Sequence, residues 1–412
     1  MKGRIWIINY YTTPPEFVSN PRHLEFSNHL RDAEYDVTIF SAGYLRDRDL
    51  DLVPDRVKFN SVNYGEYKFI HVKVNHYKGN GVKRMFSIFQ FAWLIFRHAR
   101  KFEKPDIIFH NIHAPFDYPI VWCVRRLKTK YIVESWDLWP DSFVRFGLIS
   151  AKNPLVKLAY RVERSMYEKS DKIIFTLEGG LDYLKEKGWI NLSGGKIDPS
   201  QVYYINNGVN LSTFNTDIID NPLNDIDLDD PHFFNVIYLG SIRLVNNLKE
   251  LVDAAKLLIS FQRVRILIYG DGPDRDYLEE YCIKNHITNV HFKEKWISFK
   301  NVPSVLSRSS LNILNYQKDF GKYGISSGKF FQYLAAGKPI CSNIKMNYCL
   351  IEKYNLGIAK KLETAKEYAD AILKLASLDE DSYKSMCDRV KSISKDFDYK
   401  ILSSKLIEVI ES

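Results

Sequence analysis

The sequence predicts an α/β protein made of two doubly wound domains in series. Three observations carry that reading. Short β-rich apolar runs alternate with helix-length segments from end to end. Those runs lack a clean in–out alternation, as expected of parallel strands buried on both faces. The alternation breaks once, at Asn215–Pro231, where Asn, Asp and Pro cluster, so the chain divides near its middle. With 412 residues it is too long for one compact domain and comfortable for two.

In the first half, strands are predicted at Arg4–Asn9, Asp36–Phe40, Asp106–Phe109, Lys130–Glu134, Lys172–Phe175 and Val202–Ile205. Helices are clearest at Lys83–Phe102 and Pro154–Lys169, the latter with Asn153 as N-cap and Pro154 in the first turn. The second half predicts strands at Phe233–Leu239, Val264–Tyr269, Val290–Phe292, Leu311–Asn315 and Pro339–Ser342. Helices fill Asn247–Ile259, Asp274–Asn285, Pro303–Ser309, Gly328–Ala336, Thr364–Ser377 and Asp379–Ser394. A last helix, Tyr399–Ile410, places Ile401, Leu402, Leu406, Val409 and Ile410 on one apolar stripe that needs a partner surface. The expected domains are residues 1–210 and 211–394, with 395–412 packing back towards the first. In such a pair a ligand is expected in the crevice at the carboxyl ends of the strands.

Composition excludes several classes. Hydrophobic types make up 45% and charged types 26%, so disorder is not the main state. The 58 basic residues exceed the 50 acidic ones by +8, a mild excess that argues against a dedicated nucleic-acid binder. Five cysteines form no CxxC pair and imply reduced thiols, hence a cytoplasmic setting. Met1–Tyr11 reads as a first strand and not as a signal peptide. The longest apolar run, Met85–Phe96, spans roughly 18 Å as a helix, short of the ~30 Å of a bilayer core.

Four segments carry candidate chemistry. In Gly324–Pro339 a Gly/Ser loop runs into a helix, and its backbone N–H groups with the helix dipole favour an anion. Lys329, one residue into that helix, opposes the dipole unless something negative lies nearby; a plain capped helix with a solvated lysine fits the same residues. In Tyr238–Leu248 a strand ends in the Gly240–Ser241 turn. There Arg243 can grip a diphosphate or stand as a surface arginine, and Asn247 is placed to cap the next helix. Gly270-Asp271-Gly272-Pro273 lacks the third glycine of a dinucleotide fingerprint; its glycines permit close backbone approach, to a ligand or within a tight turn. In Val133–Asp141, Glu134 and Asp137 are placed to orient a sugar hydroxyl or act as a base, and Trp136 and Trp139 to pack on sugar rings, unless the loop simply covers the core.

Other features are read more plainly. His110 and His113 have no third ligand at metal spacing and are expected to line the cleft. The two DxD triplets of Asp225, Asp227 and Asp229 fall in the polar break and read as a solvated loop. Lys83–Lys104 holds six basic residues and one acid around a wide aromatic arc. Arg125, Arg126, Lys128 and Lys130 extend its basic face. Core packing and contact with an anionic bilayer both fit.

Taken in this order, the segments resemble the retaining glycosyltransferase family 4 of the GT-B fold, particularly bacterial capsule and O-antigen sugar transferases. The likeness runs over nearly the whole chain. "NNGVN" (Asn206–Asn210) is similar to the family's hinge stretch and "YLGSIRLVNNLKELVDAA" to its first donor loop. "GDGP" and "ISSGKFFQYLAAGKPI" resemble the second donor loop and the donor-phosphate helix. "NYYTTPPEFVSNPRH" (Asn9–His23) resembles the loop after the first strand, and "ESWDLWPD" a His-Asp-Leu-Trp-Pro region.

The resemblance implies metal-independent, retaining transfer of a sugar from a nucleotide diphosphate, UDP foremost, to a glycan or lipid-linked oligosaccharide, without a cofactor. It implies that Arg243 and Lys329 meet the leaving diphosphate and Asp137 the sugar. Gly240, Ser241, Gly270, Asp271, Gly272, Ser326, Ser327, Gly328 and Gln332 would bind the donor, and Arg22, His113, Glu134 and Trp136 would contact sugar or acceptor. Where the family carries two glutamates in an E-x7-E arrangement this chain has Gly324 and Gln332, and Trp136 replaces the usual histidine. Two other classes share such a chain: a non-catalytic sugar-nucleotide binder and a UDP-sugar 2-epimerase.

Overall fold

The computed structural model describes residues 1–18, 20–79, 81–145, 147–317 and 321–412. It divides into two compact units, Met1–Asn206 with Leu402–Ser412, and Asn207–Ile401. The first boundary thus falls before Asn207 and not after Asn210. Asn207 donates its backbone N–H and side-chain amide to Ser326, and Val209 donates to the Phe397 carbonyl, so this stretch is held by the second unit.

The first unit is an eight-stranded sheet: β1 (Gly3–Ile8), β2 (Tyr35–Ala42), β3 (Phe59–Tyr64), β4 (Tyr67–Val72), β5 (Ile107–Asn111), β6 (Lys130–Ser135), β7 (Lys172–Phe175) and β8 (Val202–Tyr204). The spatial order is 8-7-6-5-1-2-4-3, and every pairing but β3–β4 is parallel. The antiparallel β3–β4 hairpin was not expected from the sequence. Its signal was present in the alternating Phe59–Tyr64 stretch and in Gly65, whose φ of 59° suits a tight hairpin turn.

The second unit is a six-stranded parallel sheet of β9 (Phe234–Leu239), β10 (Val264–Tyr269), β11 (Val290–Phe292), β12 (Leu311–Leu314), β13 (Ile340–Ser342) and β14 (Gly357–Ala359). Its order, 11-10-9-12-13-14, is the Rossmann order. Successive residues of one strand enter opposite apolar clusters: Val236 and Tyr238 with Ile266 and Ile268 on one face, Ile237 with Leu267 and Tyr269 on the other. Burial on both faces explains the unbroken apolar runs. The topological switch points lie between β1 and β5 and between β9 and β12, and the loops leaving these strands are where each sheet can open to a ligand.

Asn153 caps the helix Pro154–Tyr167 as predicted, accepting from the Leu155 N–H at 2.9 Å. Three expectations are corrected. The break at Asn215–Pro231 is not a plain loop: Asn210 caps a helix at Leu211–Asp220, and Asp225 caps a short one at Ile226–Asp229. Asn247 precedes its helix without a side-chain cap bond, because its backbone sits in the left-handed region at φ 43°. In the helix Tyr399–Glu411, Leu402, Leu406, Val409 and Ile410 are buried, but Ile401 stays exposed, one residue off the i, i+4, i+7 stripe.

Candidate functional site

The second unit gathers a cationic site where β9 and β10 end and the helix Gly328–Ala336 begins. Lys329 reaches back from the first turn of that helix to the β9 end. Its Nζ donates to the Tyr238 hydroxyl at 3.0 Å and lies 4.4 Å from the centre of that ring. The Tyr238 hydroxyl in turn donates to the Ser241 carbonyl at 2.7 Å, and Arg243 Nε donates to the Ser241 hydroxyl at 3.0 Å. The two cations therefore belong to one hydrogen-bonded unit. Among the described residues, no carboxylate pairs with either. Burial and then the positive charge of Arg243 lower the Lys329 amine from 10.5 to about 7. A half-buried amine in this setting gains from an anion.

The glycines of this region hold the two loops against each other. A Cβ on Gly270 would lie 2.0 Å from the Gly240 carbonyl oxygen, and one on Gly272 2.1 Å from that of Ile242. A Cβ on Gly240 would stand 3.0 Å from Lys329 Nζ. The loops are joined by Gly240 N–H to the Tyr269 carbonyl at 3.0 Å and Ile242 N–H to the Asp271 carbonyl at 2.8 Å. Close backbone approach is thus made within the protein: the Gly240 turn lies beside the Lys329 amine, and the Gly270–Gly272 loop packs against that turn.

The other residues that the sequence assigns to the donor lie on the same loops and helix. Ser327 is the N-cap of the helix Gly328–Ala336 without a side-chain cap bond; the Phe330 N–H donates to the Ser327 carbonyl at 3.0 Å, which leaves the Gly328 and Lys329 N–H groups as the first-turn donors for a ligand. Gln332 is buried three residues after Lys329 and on the same helix face. Ser326 uses its hydroxyl and carbonyl to accept from Asn207. Asp271 is exposed.

In the first unit, the expectation for Glu134 and Arg22 is corrected. Both are fully buried and bound to one another, Arg22 Nη2 to Glu134 Oε1 at 2.7 Å. Arg22 also donates to the carbonyls of Ile205, at 2.7 Å, and Asn206. Glu134 Oε2 accepts from His23 Nε2 at 2.8 Å and Trp136 Nε1 at 2.6 Å. Burial alone would raise the Glu134 carboxyl, but Arg22 and His23 outweigh it and take it to about 2. Neither residue is free to meet a sugar; together they lock the loop after β1 to the end of β6. Ser19, within the loop Asn9–His23, lies outside the described residues.

The other first-unit candidates are more open. Asp137 is exposed at the turn that leaves β6. Trp136 stacks on His23 with ring centres 5.2 Å apart. His113 touches Tyr11 and Trp139 edge-on and lies 3.7 Å from Asp117, whose carboxylate also meets His110 Nε2 at 3.2 Å. Burial would raise the Asp117 carboxyl, yet the two histidines hold it well below the usual range. His110 and His113 thus share a buried acid that nothing in the sequence singles out. The DxD expectation is also corrected: Asp225 and Asp227 both pair with Lys293, and Asp227 further pairs with Arg265 and His291. Among the described residues, no group of three His, Cys, Asp or Glu side chains is placed to hold a metal ion.

Comparison with known proteins agrees with this architecture. Residues 23–213 match the family described as Glycosyltransferase Family 4, and residues 229–392 match Glycosyl transferases group 1. No curated protein sequence matches the chain. Among solved structures, a sucrose-phosphate synthase from Thermosynechococcus elongatus superposes with a TM-score of 0.73 at 15% identity, over 99% of this chain and 98% of that one. A trehalose 6-phosphate synthase from Burkholderia multivorans gives 0.75 at 10% identity, over 100% and 98%. An Anabaena protein crystallised with UDP and glucose gives 0.65 at 12% identity, over 99% of each chain.

Two Rossmann-like domains in series, each with its loops at a switch point, define the GT-B fold, which these likenesses share. With each domain matched to a glycosyltransferase family, the chain is a glycosyltransferase of the GT-B type.

Proposed function

We propose that the protein transfers a sugar, with retention of anomeric configuration, from a UDP-linked donor to a glycan on a lipid diphosphate during surface-polysaccharide synthesis. The observation that carries the donor assignment is the pair Lys329 and Arg243, two cations without an acidic partner among the described residues, joined through Tyr238 and Ser241 at the mouth of a helix. Loss of a nucleoside diphosphate builds negative charge, and fixed cations with helix N–H groups stabilise it in place of a metal. Ser326, Ser327 and Gly328 supply backbone donors, Gln332 meets the ribose, and Gly240, Ser241, Gly270, Asp271 and Gly272 form the nucleotide's bed. The first unit takes the acceptor, with Asp137, Trp136 and His113 as contacts. The Anabaena neighbour, solved in complex with UDP and glucose, favours that nucleotide.

UDP binding tests this reading with a pH signature. A diphosphate favours the charged amine, so above about pH 7 binding must draw in a proton. UDP affinity is expected to fall as pH rises from 7 to 9, by up to about tenfold per unit. Titration calorimetry checks it; flat affinity over that range overturns the role of Lys329. In the free protein the sign reverses: the unfolded chain holds this proton up to 10.5, so folding gains as pH climbs from 7 towards that value.

The acceptor assignment rests on the helix Val82–His98. It buries Ile88, Phe91, Ala92 and Ile95 but exposes Phe86 (56%) and Trp93 (40%), beside Trp122 (39%) on the helix Pro119–Leu127. Trp93 and Trp122 meet edge to face at 6.3 Å. Lys83, Arg97, Arg100, Lys101, Arg125 and Lys128 are exposed on these helices and the turns after them. An aromatic patch ringed by cations suits the headgroup level of an anionic bilayer, here the inner face of the plasma membrane, with each nearby cation worth about 1 kcal/mol. No helix among the described residues is long and apolar enough to cross a membrane, so contact would be peripheral. Flotation with phosphatidylglycerol vesicles is expected to capture the protein, and the Trp93→Ala/Trp122→Ala variant to lose most of that capture. Equal flotation with neutral phosphatidylcholine vesicles would count against the proposal.

A further inference from the structure

We propose that Tyr238 is the positioning residue of the donor site, its hydroxyl setting the Lys329 amine and the Ser241 turn against each other. This rests on the reading of Lys329 as the diphosphate-binding cation.

A phenol has one proton, and Tyr238 gives it to the Ser241 carbonyl at 2.7 Å. Towards Lys329 Nζ, 3.0 Å away, the same oxygen can only accept. Burial raises the Tyr238 hydroxyl well above 10.0, so it stays protonated and the direction of the relay does not reverse. The amine donates into Tyr238, Tyr238 donates into the turn, and the Ser241 hydroxyl takes Arg243 Nε at 3.0 Å.

Geometry leaves little alternative for the amine. Tyr238 is fully buried at the end of β9, fixed in the apolar cluster with Ile242, Leu248 and Ile268, so its ring cannot follow a moving lysine. The lysine instead lies along the ring, with its amine packed where any Gly240 side chain would be. Among the described residues the charged group bearing on it is Arg243, across the turn, and the neutral ring and hydroxyl of Tyr238 are its polar contacts. An amine that repels its cationic neighbour would swing outward without an acceptor. Tyr238 therefore keeps Lys329 aimed and Arg243 in register, although it need not touch the donor.

The test uses Tyr238→Phe, which keeps the ring, in the full-length protein. The ε-carbon of 13C-labelled Lys329, followed by NMR against pH, reads the contact without any donor. The charged amine loses an acceptor in the variant, so its titration is expected to move to lower pH while the melting temperature stays within a few degrees. An unmoved titration overturns the proposal. UDP calorimetry then forms a double-mutant cycle with Lys329→Ala. Tyr238→Phe is expected to weaken UDP roughly tenfold in the native background and to have little effect once Lys329 is gone. Equal losses in both backgrounds would mean that Tyr238 acts apart from Lys329, and would overturn the proposal. A shifted titration with unaltered UDP affinity in Lys329→Ala would leave Tyr238 holding the amine but remove the donor-site reading, so the two failures are separable.

Discussion

Lys329→Ala is expected to lower sugar transfer by on the order of 10²–10³-fold, the cost of removing one preorganised group that meets charge developing in the transition state. On the proposed reading the loss should appear in turnover more than in KM for the UDP-sugar, because the β-phosphate charge that Lys329 would meet develops only as the sugar leaves; UDP itself, which already carries that charge, should bind the variant more weakly. The fold should survive. Lys329 is half-buried with a depressed amine, so its removal relieves repulsion with Arg243 and leaves no carboxylate unpaired among the described residues. Transfer from the UDP-sugar at an unchanged rate would remove Lys329 from the chemistry.

Glu134→Gln is expected to act on stability. Arg22 and Glu134 are both wholly buried, and breaking such a pair costs about 3–5 kcal/mol because the remaining charge stays in the interior. For a domain of this size the first unit's melting temperature should fall on the order of 10 °C. The pH dependence has a definite sign. With the folded carboxyl at about 2 against an ordinary 4.5, its stabilisation is full above 4.5 and is lost as pH falls towards 2. Thermal melts between pH 2 and 7 check both points: the variant should melt lower at neutral pH and lose less on acidification. UDP affinity should be unchanged, since these residues belong to the other unit. A variant as stable as the parent would mean the pair is not the lock described.

Much of the fold was legible because burial on both faces of a parallel sheet writes itself locally, as continuous apolar runs bounded by turns. Val264–Tyr269, Lys172–Phe175, Val290–Phe292 and Gly328–Ala336 have the predicted bounds. The edge hairpin Phe59–Val72 escaped because an edge strand buries only one face and its pattern is diluted by exposed residues. The cationic site was half legible. Lys329 conflicts with its helix dipole and Arg243 follows a Gly-Ser turn, and both are oddities visible in the local sequence. Tyr238 carries no such mark, since a tyrosine in an apolar strand looks like any core residue.

The sequence by itself determined the kinds of elements, their order, and which residues were anomalous where they stood. Partnerships came only with the tertiary structure. Arg22 and Glu134 are 112 residues apart and Tyr238 and Lys329 are 91 apart. Nothing in either neighbourhood marks the other, and the same glutamate reads equally well as a base or as a buried counter-ion. Which it is depends on strand order, since β6 lies beside β5 and one strand from β1, bringing the end of β6 to the loop after β1. Water is excluded there, and a charge without water must be met by another charge.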